Sequence, residues 1–99
     1  MIKGDFFMLH GYFDLPTLVF FDSGNVWAGS MYTDFSYKID YLTEEKKKTA
    51  LRLRVWYGMQ SVEFVEKFEY EKEFEFSDEG LAALIGELNS EFDKYRENH

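Results

Sequence analysis

The chain has no cysteine, one proline and only 11 Lys and Arg against 19 Asp and Glu. Without cysteine there is no disulfide, no thiolate nucleophile and no cysteine-ligated zinc or iron–sulfur centre. With so few bases and a net charge of -8, a nucleic-acid-binding module is not expected, because neutralising phosphates takes clustered Lys and Arg. No apolar run approaches the ~18 residues of a membrane-spanning helix. The first fifteen residues carry only Lys3 as a base, and Asp5 and Asp14 interrupt their apolar run, so no secretory leader is expected. A cytoplasmic protein is expected by default, one that uses neither membrane nor nucleic acid directly.

Catalytic signatures are also missing. Gly24, Gly29 and Gly58 are too scattered for a dinucleotide or phosphate loop. Asp22-Ser23-Gly24-Asn25 lacks the ligand spacing and closing glutamate of an EF-hand loop. The two histidines are His10 and the final residue His99, and no nucleophile elbow surrounds any serine. Carboxylate pairs are available by chance among 19 acids and carry no signal. No metal, no cofactor and no enzymatic activity are expected.

What the chain does have is apolar and aromatic mass. Hydrophobic residues make up 45% and aromatics 20%, enough to build one core from residues 1–99 and too much for a disordered chain. The expected fold class is α+β: a curled, meander-like antiparallel sheet of five or six strands over about 4–76, with one C-terminal helix over about 78–97 packed on one face.

The element pattern is uneven in clarity. Gly4–Phe13 is aromatic-rich and strand-like, and Pro16 ends it. Thr17–Phe21 is an apolar run of strand length, Asp22–Asn25 a turn, and Val26–Thr33 the return strand, in which Gly29 marks a bulge or a close backbone approach. Phe35, Tyr37, Ile39 and Tyr41 alternate with Ser36, Lys38 and Asp40. Leu51, Leu53, Val55 and Tyr57 lie opposite Arg52, Arg54 and Trp56 in the same way. A loop at 44–48 would pair Tyr41 with Leu51 and Ile39 with Leu53.

A two-residue turn at Gly58-Met59 would pair Val55 with Val62 and Leu53 with Phe64, with Arg54 opposite Glu63. Alternation continues to Phe76, and so long a strand requires a bend near 66–67 or 70–72. A helix over 62–72 is the alternative. The helix after 78 is marked by Ser77 as N-cap, by Asp78 and Glu79 at the positive end of its dipole, and by the stripe Leu81, Leu84, Ile85, Leu88, Phe92 and Tyr95. Burying such side chains contributes roughly 1.5–3 kcal/mol each. One helix, ~10 Å across, covers two or three strands spaced ~4.8 Å apart. A wider sheet must therefore curl around the helix or leave apolar surface for a partner.

Charge is segregated. Residues 43–62 hold Lys46, Lys47, Lys48, Arg52 and Arg54 against Glu44 and Glu45. Residues 63–79 hold eight acids against Lys67 and Lys72. Within the acidic segment Glu69, Glu71, Glu73 and Glu75 share one parity, so an extended chain lines them up on one face ~6.6–6.8 Å apart. Such a row is a solvated strand face, a guard against sheet aggregation, or a docking surface for a basic protein. With Asp78 and Glu79 these four are the candidate partner-binding residues. Trp56 with Arg52 and Arg54 is a weaker second candidate, since aromatic and arginine side chains concentrate in interface hot spots.

The leading functional reading is a non-catalytic acidic binding protein that masks a basic protein, as an immunity-type antidote or inhibitor masks a nuclease or another nucleic-acid-binding protein. In style the chain is similar to immunity proteins of bacterial ribonuclease toxins and to phage inhibitors that imitate nucleic acid, although no motif aligns with either. The alternatives are a small-ligand carrier or small enzyme with a pocket between curled sheet and helix, and the subunit of a structural homo-oligomer.

Overall fold

The computed structural model describes residues 7–10, 13–31 and 34–98. The expectations for residues 4–6, 11–12 and 32–33 and for His99 lie outside the described residues, as does the side chain of His10. In chain order the elements are β1 (Phe7–His10), β2 (Phe13–Pro16), α1 (Leu18–Asp22), β3 (Trp27–Met31), β4 (Phe35–Glu44), β5 (Lys47–Tyr57), a 3-10 turn at Val62–Phe64, β6 (Tyr70–Glu75) and α2 (Asp78–Asn98).

The four strands β3-β4-β5-β6 form one antiparallel sheet in that order, and β1 and β2 form a separate two-stranded ribbon. This corrects the expectation of a curled sheet of five or six strands. The sheet is open, with β3 and β6 at its edges. The molecule is only 18 Å thick along its short axis, the depth of a sheet with one covering layer.

Two pieces of chain cover the sheet, which is why it need not curl. The α2 stripe Leu81, Leu84, Ile85, Leu88, Phe92 and Tyr95 is buried against Leu51, Leu53, Val55 and Phe74 of β5 and β6. Leu15 and Phe21, from the end of β2 and from α1, are also fully buried in that core. Phe20 meets Trp27 of β3 edge-on at 6.1 Å. The width that one helix cannot cover is thus capped by the segment 15–21.

Thr17–Phe21, expected as a strand, forms a helical turn instead. Its backbone N–H groups bond back along the segment, Phe20 to Thr17 and Ser23 to Val19. The helical spacing buries Phe21 and turns Val19 to solvent. A short apolar run after a proline fits either conformation, and here coverage of the sheet decides it. The turn at 22–25 therefore joins a helix to β3, and β3 pairs with β4. Gly29 makes the close approach, not a bulge: a Cβ there would lie 2.8 Å from the Tyr37 hydroxyl. That hydroxyl accepts a hydrogen bond from Trp27 Nε1 at 3.0 Å.

The β4–β5 register is the expected one, with Tyr41 opposite Leu51 and Ile39 opposite Leu53. The connection is tighter than a five-residue loop. Glu44 pairs with Lys47 around Glu45 and Lys46, both at positive φ, and the register shifts between Leu42 and Thr43. Thr49 is the extra residue of this bulge, and it returns Leu51 and Leu53 to the core face.

The β5–β6 pairing differs from expectation. Val55 faces Tyr70, Leu53 faces Lys72 and Leu51 faces Phe74, while residues 58–69 form a connection. Gly58 N–H is taken by the Asp34 carbonyl, so the chain leaves β5 toward the start of β4 and does not turn back at once. Phe64, expected opposite Leu53, is 74% exposed. Of the helix considered for 62–72, only the 3-10 turn forms.

Ser77 caps α2, its Oγ accepting the Gly80 N–H at 2.9 Å. The first turn of α2 is pressed onto the end of β6, since a Cβ on Gly80 would lie 1.8 Å from the Glu75 carbonyl oxygen. Gly86 has open space around it. Gly80→Ala is therefore expected to destabilise the fold by about 2–4 kcal/mol. Gly86→Ala should stabilise it by about 0.5–1 kcal/mol. Urea unfolding of the two variants checks both signs.

Candidate functional site

Because Leu51, Leu53 and Val55 face the core, Arg52, Arg54 and Trp56 project from the opposite face of the sheet. Pairing puts Asp40 beside Arg52 and Lys38 beside Arg54 on the β4 side, and Glu73 beside Arg52 and Glu71 beside Arg54 on the β6 side. Each arginine thus has a choice of carboxylates. Both choose Asp40. Arg52 donates from Nε to Oδ1 at 2.9 Å and from Nη2 to Oδ2 at 2.6 Å, and Arg54 donates from Nη2 to Oδ2 at 2.8 Å.

Asp40 is buried, and a two-pronged charge-assisted bond is stronger where water is scarce. The bond to Asp40 holds the Arg52 pKa above its ordinary value; burial opposes this, and attraction to Asp40, Glu71 and Glu73 adds to it. Among the described residues no ion pair joins either arginine to Glu71 or Glu73. One anion is shared by two cations, and the glutamates across the strand attract Arg52 without forming an ion pair with it.

The Arg54 guanidinium lies 5.4 Å from the Phe68 ring centre, and Phe68 packs edge-on against Trp56 at 6.0 Å. Trp56 Nε1 donates to the Gln60 carbonyl at 2.9 Å, and Ser36 Oγ donates to the Gly58 carbonyl at 2.9 Å. The 58–69 connection is thereby fastened over this end of the charged face. Trp56 is only 5% exposed, so its indole is filled in by the chain's own residues. The same connection holds out Met59 and Phe64, at 81% and 74% exposure.

Glu71, Glu73 and Glu75 stand exposed along β6, and Glu69 precedes them with its N–H bonded to the Val55 carbonyl. Asp78 and Glu79 follow in the exposed first turn of α2. The six acidic candidates thus run along one edge of the domain and around its corner. Arg52 and Arg54 are drawn inward to Asp40.

Two acids not singled out in the sequence matter here. Asp40 was legible: it shares parity with Ser36 and Lys38, and pairing Ile39 with Leu53 puts it opposite Arg52. Glu91 is buried on α2 between Leu88 and Phe92, and its Oε2 accepts Lys94 Nζ at 2.9 Å. That bond raises the Lys94 pKa. The only signal for Glu91 was its place beside Phe92 at the border of the apolar stripe. Burial raises the pKa of Tyr70, and the nearby charges of Glu87 and Glu91 add to the effect. Burial likewise raises that of Tyr57, with Glu69 and Glu91 adding.

No known family model matches this chain, and comparison with curated proteins and with solved structures finds no significant match. The geometry itself defines the class: an α+β domain whose open antiparallel sheet is covered on one face and bears ordered charge on the other. Among the described residues no group of His, Cys, Asp and Glu is arranged to hold a metal ion, and no helix is long and apolar enough to cross a membrane.

The Tyr70 hydroxyl oxygen is buried without a protein hydrogen-bond partner. A phenol whose pKa is raised in the fold from the ordinary 10.0 stabilises fully below that value and loses its contribution as pH rises through the folded pKa. Tyr70→Phe is therefore expected to leave stability at pH 7 unchanged or raised by up to about 1 kcal/mol. It should also flatten the loss of stability above pH 10. Urea unfolding at neutral and alkaline pH measures both, and a loss above about 1.5 kcal/mol at pH 7 would show that the hydroxyl is usefully bonded.

Proposed function

We propose that this chain is a non-catalytic acidic binding protein that masks a basic protein partner, in the manner of an immunity-type antidote or an inhibitor of a nucleic-acid-binding protein. The observation that carries the reading is the division of charge on the sheet. Arg52 and Arg54 are committed to Asp40, so Glu69, Glu71, Glu73 and Glu75 face solvent without ion-pair partners among the described residues. A row of like charges is costly in isolation and favourable against a surface of opposite sign. A basic face that ordinarily meets phosphates spaced along a backbone is such a surface, and steering by the acidic row would speed its capture.

The basic stretch 43–62 can offset the row at one end only. Lys46 and Lys47 lie at the β4–β5 turn, at the Glu75 end of the sheet, and Lys48 sits over the Tyr41 ring at 5.1 Å. Excess acidity therefore stays at β6 and the start of α2.

The test is capture from native lysate by the wild-type chain and by the triple variant Glu71→Gln, Glu73→Gln, Glu75→Gln. A basic protein should be retained at low salt and released at high salt, and the variant should hold it at least about tenfold more weakly. Equal retention by a folded triple variant would overturn the reading.

A further inference from the structure

Resting on that acidic-binding reading, we propose that the edge strand β6 takes up its partner as a fifth strand: an extended, Lys/Arg-alternating segment of a basic protein, paired backbone to backbone along Tyr70–Glu75. β6 bonds to β5 on one side only, and among the described residues nothing pairs with its other side. Its N–H and C=O groups on that side are a template for another chain. Glu71, Lys72, Glu73 and Glu75 are exposed along this edge strand, while Phe74 is buried and Tyr70 half-buried.

The side chains select what can use that template. Below the edge, on the charged face, stand Glu71, Glu73 and Glu75 at alternate positions. On that face, basic residues at every second position of an added strand would fall opposite the three glutamates. Lys72 stands opposite Leu53 on the covered side and folds its ammonium over the Phe74 ring at 5.4 Å. A charge there discourages apolar strands from joining this edge.

Pairing of β6 with the β6 of a second copy is disfavoured by the same pattern. Two antiparallel β6 strands would set one row of glutamates against another. The other edge, β3, reads Trp27-Ala28-Gly29-Ser30-Met31 and has no charge with which to discriminate. Among the described residues, only β6 combines unpaired backbone with a repeating charge code.

The probe is an end-capped heptapeptide of alternating lysine and valine, beginning and ending in lysine. Its control is the same peptide N-methylated at the internal amides, which keeps every charge and removes the donors. The wild-type chain should bind the first peptide at least tenfold more tightly than the second. The first peptide should also slow hydrogen exchange at those β6 amides that do not bond to β5. Equal binding of the two peptides would overturn strand addition while leaving the acidic-binding reading intact. Binding of neither would also overturn strand addition, and the fate of the broader reading would then be read from capture by the triple Gln variant.

Discussion

Asp40 accepts three hydrogen bonds from two arginines at the centre of the exposed sheet face. Removing one partner from a buried charge pair leaves the other uncompensated, so the Asp40 cluster fixes the order of the whole face. It joins β4 to β5, holds Arg54 beneath Phe68, and through Phe68 and Trp56 anchors the 58–69 connection. It also sets what the neighbouring strand can do. With both guanidiniums turned toward β4, the glutamates of β6 face outward without ion pairs among the described residues, and Glu75 accepts a hydrogen bond from Ser77 Oγ at 2.6 Å.

The opposite face follows a different constraint, the area a single helix can shield. α2 covers β5 and β6, and the chain supplies the rest of the cover from 15–21, where Leu15 and Phe21 are fully buried. The open sheet results from that division of labour, and an open sheet has edges. The β6 edge is thus a consequence of how the core is closed, and its charges decide whether it is a liability or a binding device.

Much of this was readable in the sequence, and the misreadings have definite causes. Alternation in 35–41 and 51–57 carries the β4–β5 register because a one-residue slip would bury Arg52 and Arg54. The turn itself was hidden: a two-residue turn followed by a bulge at Thr49 leaves the same pairs opposite each other as a five-residue loop does. For β5 and its next partner, parity cannot discriminate at all. Sliding the partner by eight residues, from Phe64 to Lys72 opposite Leu53, keeps every side chain on its face and still sets a glutamate against Arg54. What separates the two registers is long-range: Asp34 takes the Gly58 N–H, and Phe74 completes the core under α2. The acidic row kept its single face because β6 is extended from Tyr70, as the shared parity of Glu71, Glu73 and Glu75 requires. The commitment of both arginines to Asp40 was implicit in the register but needs the side-chain geometry to be seen.

The most direct measurement is a pair of double-mutant cycles on folding stability, one for Arg52 with Asp40 and one for Arg52 with Glu73. A coupling of about 1.5–3 kcal/mol is expected for Arg52–Asp40, in the range of a charge-assisted bond. Less than about 0.5 kcal/mol is expected for Arg52–Glu73, as for an exposed and unformed ion pair. Coupling to Glu73 equal to or above that to Asp40 would contradict this expectation, because the carboxylates of β6 would then already be engaged within the chain.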